Sequence, residues 1–538
     1  MTTDRSSTGT QLSDWWHRTF VDLAQQLQWS YLPPLMVYFA AGVSGLTSVV
    51  GAFFLKDYLD LSASFVAGLA FWAGLPWILK MPLGHIVDLF WRWKSLLILF
   101  GASLITLSLL TMYGLVTAPT RMAGVMPLED WYVVALLLAP SGYAIQDVVA
   151  DAMTVEAVPK VDQDGLAFTP EETRAQHTTM QTLGRVSIIS GFAAVAAVNI
   201  WIFSGTEDLQ KSDRLALYGQ VYLIALIIPV LSVSGVVLHS LIQRQRLRQG
   251  HPLHTPDEVT EVKWSILLGG LAFVVFSIVL GTAEFEFAQE VVFTVSLTVI
   301  LYLMSRLLKE LEPAHAKALV GTAIIIFVFR AVPLPGPGLT WFEIDELGFD
   351  EQFLAILALL TSLLALLGLI VLRPFMAKRS IAHVVVVLTI AAGLLSLPNL
   401  ALYYGVHEWT AAHTGGVVDA RFIAILDTAV ESPLGQIAMV PLLAWIARNA
   451  PVQLKATFFA VMASFTNMAL SAASLGTKYL NQTFVVTRAV TNPETGVVTS
   501  TADYSQLGYL LIAAALITVT VPLAAVFLVQ KSRFRTSD

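Results

Sequence analysis

The chain is 538 residues long, 56% hydrophobic and only 13% charged, with a mean hydropathy of +0.71. That balance excludes an ordinary soluble domain, and a formal net charge of -7 offers no basic surface to nucleic acid. The absence of cysteine excludes disulfides, thiolate metal sites and cysteine nucleophiles.

Residues 1–32 form a polar tail without the apolar core and cleavage site of a secretory signal. Within it Leu12, Trp16, Phe20, Leu23 and Leu27 recur at helical spacing and predict a short amphipathic helix that lies at the membrane interface or packs against the protein. Residues 33–241 carry six apolar spans, near 33–54, 64–87, 95–117, 131–152, 179–202 and 217–241, each long enough to cross about 30 Å of hydrocarbon. A basic linker, 242–263, then precedes two spans near 264–282 and 289–305, which form an inserted hairpin within 264–310. Six more lie in 311–530, near 316–335, 353–372, 382–404, 422–447, 456–477 and 507–530, before a tail at 531–538. Lys and Arg gather in alternate connections, among them Arg92, Lys94, Arg244, Arg248, Lys378, Arg379 and Lys531. The intervening connections carry Lys56, Arg121, Lys211, Arg214 and Arg488. This positive-inside bias predicts an even number of spans with both termini cytoplasmic, and the expected location is a bacterial inner membrane.

An internal repeat runs through the two six-span sets. Phe54, Asp57, Leu59, Phe65, Ala67, Leu69 and Ala70 recur as Phe342, Asp345, Leu347, Phe353, Ala355, Leu357 and Ala358, at an offset of 288. Ala144, Ile145, Asp147 and the carboxylate of Asp151 recur as Ala424, Ile425, Asp427 and Glu431, at an offset of 280. Parallel repeats of this kind predict two similarly folded halves related by an axis along the membrane normal, with the substrate path between them. The expected fold is all-α and polytopic, of major facilitator type, with two six-helix halves, the inserted hairpin and about fourteen spans.

Charged groups inside spans cost on the order of 2.5–3.5 kcal/mol each at a helix centre, so they point to function. Asp147 and Asp151 share one helical face, and Arg185 in the next span predicts a carboxylate–guanidinium cluster. In the second half Arg330 is the expected partner of Asp427 and Glu431. Arginine suits a substrate carboxylate, and crowded carboxylates suit a proton. Lys80 either reaches an anionic substrate or snorkels to the interface. Gln181 and Asn467 can hydrogen-bond a ligand or neighbouring helices. After the second span, Gly84, Asp88 and Arg92 resemble the major facilitator loop signature, which implies close helix contact at the glycine and a latch on the cytoplasmic side at the aspartate.

Leu75-Pro76-Trp77, Lys80-Met-Pro82-Leu-Gly84 and Gln146-Asp147 to Asp151 resemble the folate-biopterin transporter family. Arg330-Ala-Val-Pro333, Glu346-Leu-Gly348-Phe349, Gly435-Gln436 to Pro441 and Ala456-Thr-Phe458 to Asn467 extend that resemblance. It covers most of residues 35–480, and departs from the family in the hairpin and in the long connection 485–505. The resemblance implies a monomeric secondary transporter that moves a small organic anion, folate or a pterin, by alternating access with protons. Arg185, Arg330, Lys80, Trp77, Gln181 and Asn467 are then the expected substrate-binding residues. Asp147, Asp151, Asp427 and Glu431 are the expected proton-coupling residues, and Gly84, Asp88 and Arg92 the gate. No cofactor or metal is expected, and without a Gly-x4-Gly-Lys-Ser/Thr sequence the chain hydrolyses no ATP on its own. Two alternatives are a non-transporting receptor on this fold and an intramembrane magnesium-dependent prenyltransferase using the two acidic pairs.

Overall fold

The computed structural model describes residues 28–59, 61–90, 93–158, 169–206, 209–248, 264–283, 285–309, 311–371, 380–431, 455–491 and 498–536. The expected N-terminal amphipathic helix, Arg92, most of the basic linker and the Gly435–Pro441 motif lie outside these residues. In hydrocarbon every backbone amide must be satisfied within its own segment, so long apolar runs become helices. Among the described residues ten helices are long and apolar enough to cross a membrane, and the shorter apolar helices Ala63–Ile78 and Leu267–Gly281 join them. Ala420–Glu431 and Lys455–Thr483 fall on the two remaining expected spans.

The first span is broken into α1 (Leu32–Val43), a 3-10 turn (Ser44–Thr47) and α2 (Ser48–Tyr58). The second is α3 (Ala63–Ile78) and α4 (Lys80–Leu89), interrupted at Leu79. The next four are α5 (Lys94–Thr117), α6 (Leu128–Ala157), α7 (Pro170–Ile202) and the pair α8 (Lys211–Ile224) and α9 (Ile227–Arg248). The inserted hairpin is α10 (Trp264–Thr282) and α11 (Ala288–Leu308). The second half opens with another broken span, α12 (Pro313–Arg330) and α13 (Pro337–Asp345), and continues as α14 (Glu351–Val371), α15 (Ile381–Leu395) and α16 (Leu397–Tyr403). It closes with α17 (Ala420–Glu431), α18 (Lys455–Thr483) and α19 (Leu507–Lys531). Between α18 and α19 a two-stranded antiparallel ribbon, β1 (Val490–Thr491) and β2 (Val498–Ser500), departs from the otherwise all-helical fold.

Two helix pairs join the halves, α3 with α18 and α7 with α14, and they occupy corresponding places in the repeat. One core fills the first half around Val50, Phe53, Leu115, Tyr218 and Tyr222. A second runs across the seam, where Phe71 and Leu75 of α3 meet Phe465 and Met468 of α18 and Val292 of α11. The hairpin sits on this seam: Gln289 donates to the Gly68 carbonyl of α3 at 3.1 Å, and Glu290 pairs with Lys478 of α18 at 2.9 Å. Its outer face, including Leu268, Leu271, Val275 and Ile278, is exposed as a lipid-facing surface should be. The end of the bundle that carries 59–62, 118–127 and 346–350 is called the distal end below; the opposite one is the terminal end.

Close backbone approach inside the first half depends on glycine. A Cβ on Gly42 of α1 would lie 2.1 Å from the Ile188 carbonyl oxygen and 2.9 Å from the Gly191 Cα of α7. Gly42→Ala is therefore expected to force these helices apart at a cost of about 1–3 kcal/mol. A lower apparent Tm for the detergent-purified variant checks this. Gly84 behaves differently, since a Cβ there would meet nothing within 4 Å. Among the described residues no helix makes the close contact at Gly84 that the loop signature implies, and Gly84→Ala is the matched control that should leave the Tm unchanged.

Candidate functional site

Two interrupted spans bring a cation to the site, Lys80 after the break in the second and Arg330 before the break in the ninth. Lys80 begins α4 immediately after the break at Leu79. A helix N-terminus is the positive end of its dipole, so an ammonium there needs nearby carboxylates. It has two: Lys80 Nζ pairs closely with Asp147 and lies 3.6 Å from Asp151 Oδ2, both on α6. The i, i+4 spacing puts both acids on the face that α4 crosses. The Lys80 ammonium also lies 5.2 Å from the centre of the Trp77 ring. Tyr38 of α1 completes the group by donating its hydroxyl to Asp151 Oδ1 at 2.5 Å. Gly184 of α7 makes room for the Tyr38 ring, because a Cβ there would lie 2.8 Å from its Cε2.

Lys80, in place of the expected Arg185, is the ion-pair partner of Asp147 and Asp151, although the Arg185 charge still acts on Asp151. The Lys80 ammonium thus neither snorkels nor stands free. Arg185 is exposed and makes no ion pair with any described residue. Across the seam, Arg330 likewise forms no ion pair with Asp427, and its Nε is buried without a hydrogen-bond partner. Arg330 closes α12, and the chain then breaks at residues 331–336, where Leu334 N–H donates to Thr477 at 3.0 Å and Asn481 donates to the Pro335 carbonyl at 2.9 Å. The negative end of the helix dipole supports the guanidinium there and offsets part of the missing carboxylate. Arg185 and Arg330 are near enough for each charge to act on the other. Two guanidinium groups from opposite halves are thus close enough to interact, and neither is in an ion pair with a described residue.

The other expected residues fall into separate roles. Asn467 of α18 donates to the Trp77 carbonyl of α3 at 3.3 Å, joining the halves beside the break in the second span. The Gln181 and Glu431 side chains lie outside the described residues, as does that of Asp88. Asp427 neighbours Glu343 of α13, an acid the sequence did not single out. The repeat held the available signal, since Glu343 stands where the first half has Leu55. Tyr38 was missed for a plainer reason: a tyrosine in an apolar span reads as a packing residue. Gln146, part of the motif that carries the family resemblance, is 2% exposed and bridges the Ile98 carbonyl and Ser232, each at 3.1 Å. It braces α6 against α5 and α9 and so fixes where Asp147 points. Because Asp147 and Asp151 are taken up by Lys80 and Tyr38, they do not form an open magnesium site.

Residues 308–537 match the model of the BT1 family. The chain is 26% identical over 457 residues to a folate-biopterin transporter of Synechocystis sp., an alignment covering 84% of this chain and 74% of that protein. Among solved structures, a POT family transporter in complex with 5-aminolevulinic acid superposes with a TM-score of 0.62 at 15% identity, covering 93% of this chain and 96% of that one. A D-xylose-proton symporter superposes with a TM-score of 0.51 at 13% identity, over 92% and 97% of the two chains. These similarities bear out the transporter fold and the family resemblance read from the motifs.

Proposed function

We propose that this chain, a multi-pass membrane transporter whose second half is BT1-family sequence, moves a small organic anion of the folate or pterin class by proton-coupled alternating access. The observation that carries the reading is the pair of guanidinium groups, Arg185 and Arg330, which belong to opposite halves and form no ion pair with any described residue, the Arg330 Nε being buried without a hydrogen bond. Charges inside a span are expensive unless compensated, and an anionic substrate supplies the compensation on binding. It also gives the halves a reason to close on the substrate, since one ligand then satisfies a cation from each side. Trp77 beside Lys80 provides an aromatic face of the kind a planar ring system stacks on.

The Lys80, Asp147 and Asp151 group is the proposed coupling site. Lys80 offsets one of the two carboxylates, and Arg185 acts on Asp151 without an ion pair, so the second carboxylate is the one a proton neutralises. The 26% identical folate-biopterin transporter supports folate or a pterin as cargo, and the proton symporter among the structural neighbours supports coupling on this fold. The positive-inside distribution supports cytoplasmic termini, which puts the terminal end in the cytoplasm of the proposed bacterial host.

Uptake of labelled folate and a labelled pterin into proteoliposomes, with and without an imposed pH gradient, tests the reading. Gradient-driven accumulation of either is expected. A monodisperse protein that takes up neither would remove this substrate class and leave the fold and family as they stand.

A further inference from the structure

Among the described residues, both ion pairs that join the two halves lie at the distal end. Lys56, at the end of α2, is 2.5 Å from Asp345, the last residue of α13, and 3.0 Å from Asp57. Asp57 and Asp345 are the matched positions of the repeat, so one lysine bridges the two equivalent acids. Farther along the seam, Tyr218 of α8 donates to Glu351 of α14 at 2.5 Å, with Arg214 3.6 Å from the same carboxylate.

Over the first of these junctions lies the connection between α18 and α19. It belongs to the second half, yet its Arg488 reaches into the first. Arg488 is 3% exposed, donates from Nε to the Lys56 carbonyl at 2.6 Å and from Nη1 to the Leu61 carbonyl at 2.5 Å, and sits 4.5 Å over the Trp341 ring. The Lys56 carbonyl is near the C-terminus of α2, where helical carbonyls lack intrahelical donors. The same connection is braced by the β1–β2 ribbon and by two backbone hydrogen bonds between Thr487 and Asp503. Its far end is tied down as well, because the Tyr504 hydroxyl donates to Asp345, the acid that holds Lys56. Burial and that carboxylate push the Tyr504 phenol far above its ordinary value, so it remains a donor at physiological pH.

Every one of the Arg488 contacts with the first half must break if the halves part at the distal end. None of them needs substrate. We propose that the described parts of this connection, residues 485–491 and 498–505, act as a strap that locks the distal end shut, with Arg488 as its bolt. The inference rests on alternating access, and it assigns a regulatory task to the segment in which the sequence departs from the family it resembles. A protein can bias an opening equilibrium only through contacts that differ between the two states. Arg488 supplies two charge-assisted hydrogen bonds, to the Lys56 and Leu61 carbonyls, that exist in the closed one alone, while its contact with Trp341 stays within the second half.

The natural absence of cysteine allows a direct test. Ala63 is 2% exposed and packs at the distal seam with Trp341, Phe342 and Tyr504. In detergent-purified Ala63→Cys protein, the maleimide reaction rate reports distal opening. Adding Arg488→Ala is expected to raise that rate at least about fivefold, with Arg488→Lys in between, because an ammonium lacks the planar fork that serves two carbonyls. Tyr504→Phe loosens the strap without emptying the buried guanidinium site and is expected to raise the rate as well. Ala135→Cys, 1% exposed in the first-half core, is the control and should stay unreactive in every background. Unchanged labelling of Ala63→Cys in both strap variants would overturn the proposal, and so would parallel exposure of Ala135→Cys, which signals unfolding. If Arg488→Ala fails to fold, Tyr504→Phe decides. Since no substrate is used, the result is independent of whether folate or a pterin is carried.

Discussion

Arg330→Ala is expected to abolish measurable uptake while leaving the protein folded, and its Tm unchanged or higher. The two effects have one cause. Arg330 lies at the end of α12 with a buried Nε that no described group satisfies, so the apo protein carries its desolvation cost without a matching bond. Removing it relieves a term on the order of 2.5–3.5 kcal/mol at most, the cost of a central charge by insertion scales, less whatever the helix dipole contributes. Bound substrate feels the opposite sign. Losing one partner of a desolvated charge pair costs about 2–5 kcal/mol, which is about 30-fold to 3,000-fold in affinity. Arg330→Lys should recover a part of the loss, since it keeps the charge and gives up the fork. Arg185→Ala should behave similarly but more mildly, because its exposed guanidinium is screened by water. Substrate-dependent protection in a thermal shift assay, measured beside the apo Tm, separates the cases. A falling apo Tm in Arg330→Ala would show a structural role and sink the anion-seat assignment.

The spans, the repeat and the charged residues worth explaining were legible in the sequence because each leaves a one-dimensional trace. Hydropathy marks what must sit in lipid, and the matched Asp57 and Asp345 mark equivalent places in two halves. Partner choice leaves no such trace. Lys80 and Arg185 both lie in spans next to α6 in space, and nothing in their spacing tells which reaches Asp147. The break at Leu79 decides it by starting α4 at Lys80 and aiming the ammonium at α6. The second half shows the same limit: Arg330 and Asp427 look like a pair on paper, but the break at 331–336 ends α12 at Arg330, while Asp427 faces Glu343 on the next helix. Gly84 fits a motif whose usual reason is close packing, yet among the described residues nothing approaches its Cβ position. Arg488 is the clearest case of a role invisible to sequence, because a lone arginine in a polar connection ordinarily stays solvated, and only the fold lays it across two carbonyls of the other half.

Asp151→Asn should uncouple transport from the proton gradient without stopping substrate exchange. Of the two acids on α6, Asp147 is 13% exposed and holds the shorter contact with Lys80, whereas the Asp151 side chain is 49% exposed and 3.6 Å from the ammonium. Asp147 is therefore the fixed counter-ion, and Asp151 is the acid with room to gain and lose a proton. An amide at 151 keeps the acceptor for Tyr38 and mimics the protonated state, so Lys80 and Asp147 remain a neutral pair. With one proton per substrate, a gradient of one pH unit sustains about tenfold accumulation, the equivalent of about 1.4 kcal/mol. In Asp151→Asn that accumulation should collapse to the equilibrium level, while counterflow exchange persists within roughly a factor of three, a barrier change below about 1 kcal/mol. Lys80→Met should do something else entirely. It leaves two carboxylates facing each other with no cation, a loss of about 3–5 kcal/mol for a fully buried group that is smaller here because Asp151 meets water. Protein yield and Tm should fall before coupling can be measured. Retained accumulation in Asp151→Asn would move the proton to another acid, and the Glu343 and Asp427 pair of the second half is the one the geometry offers next.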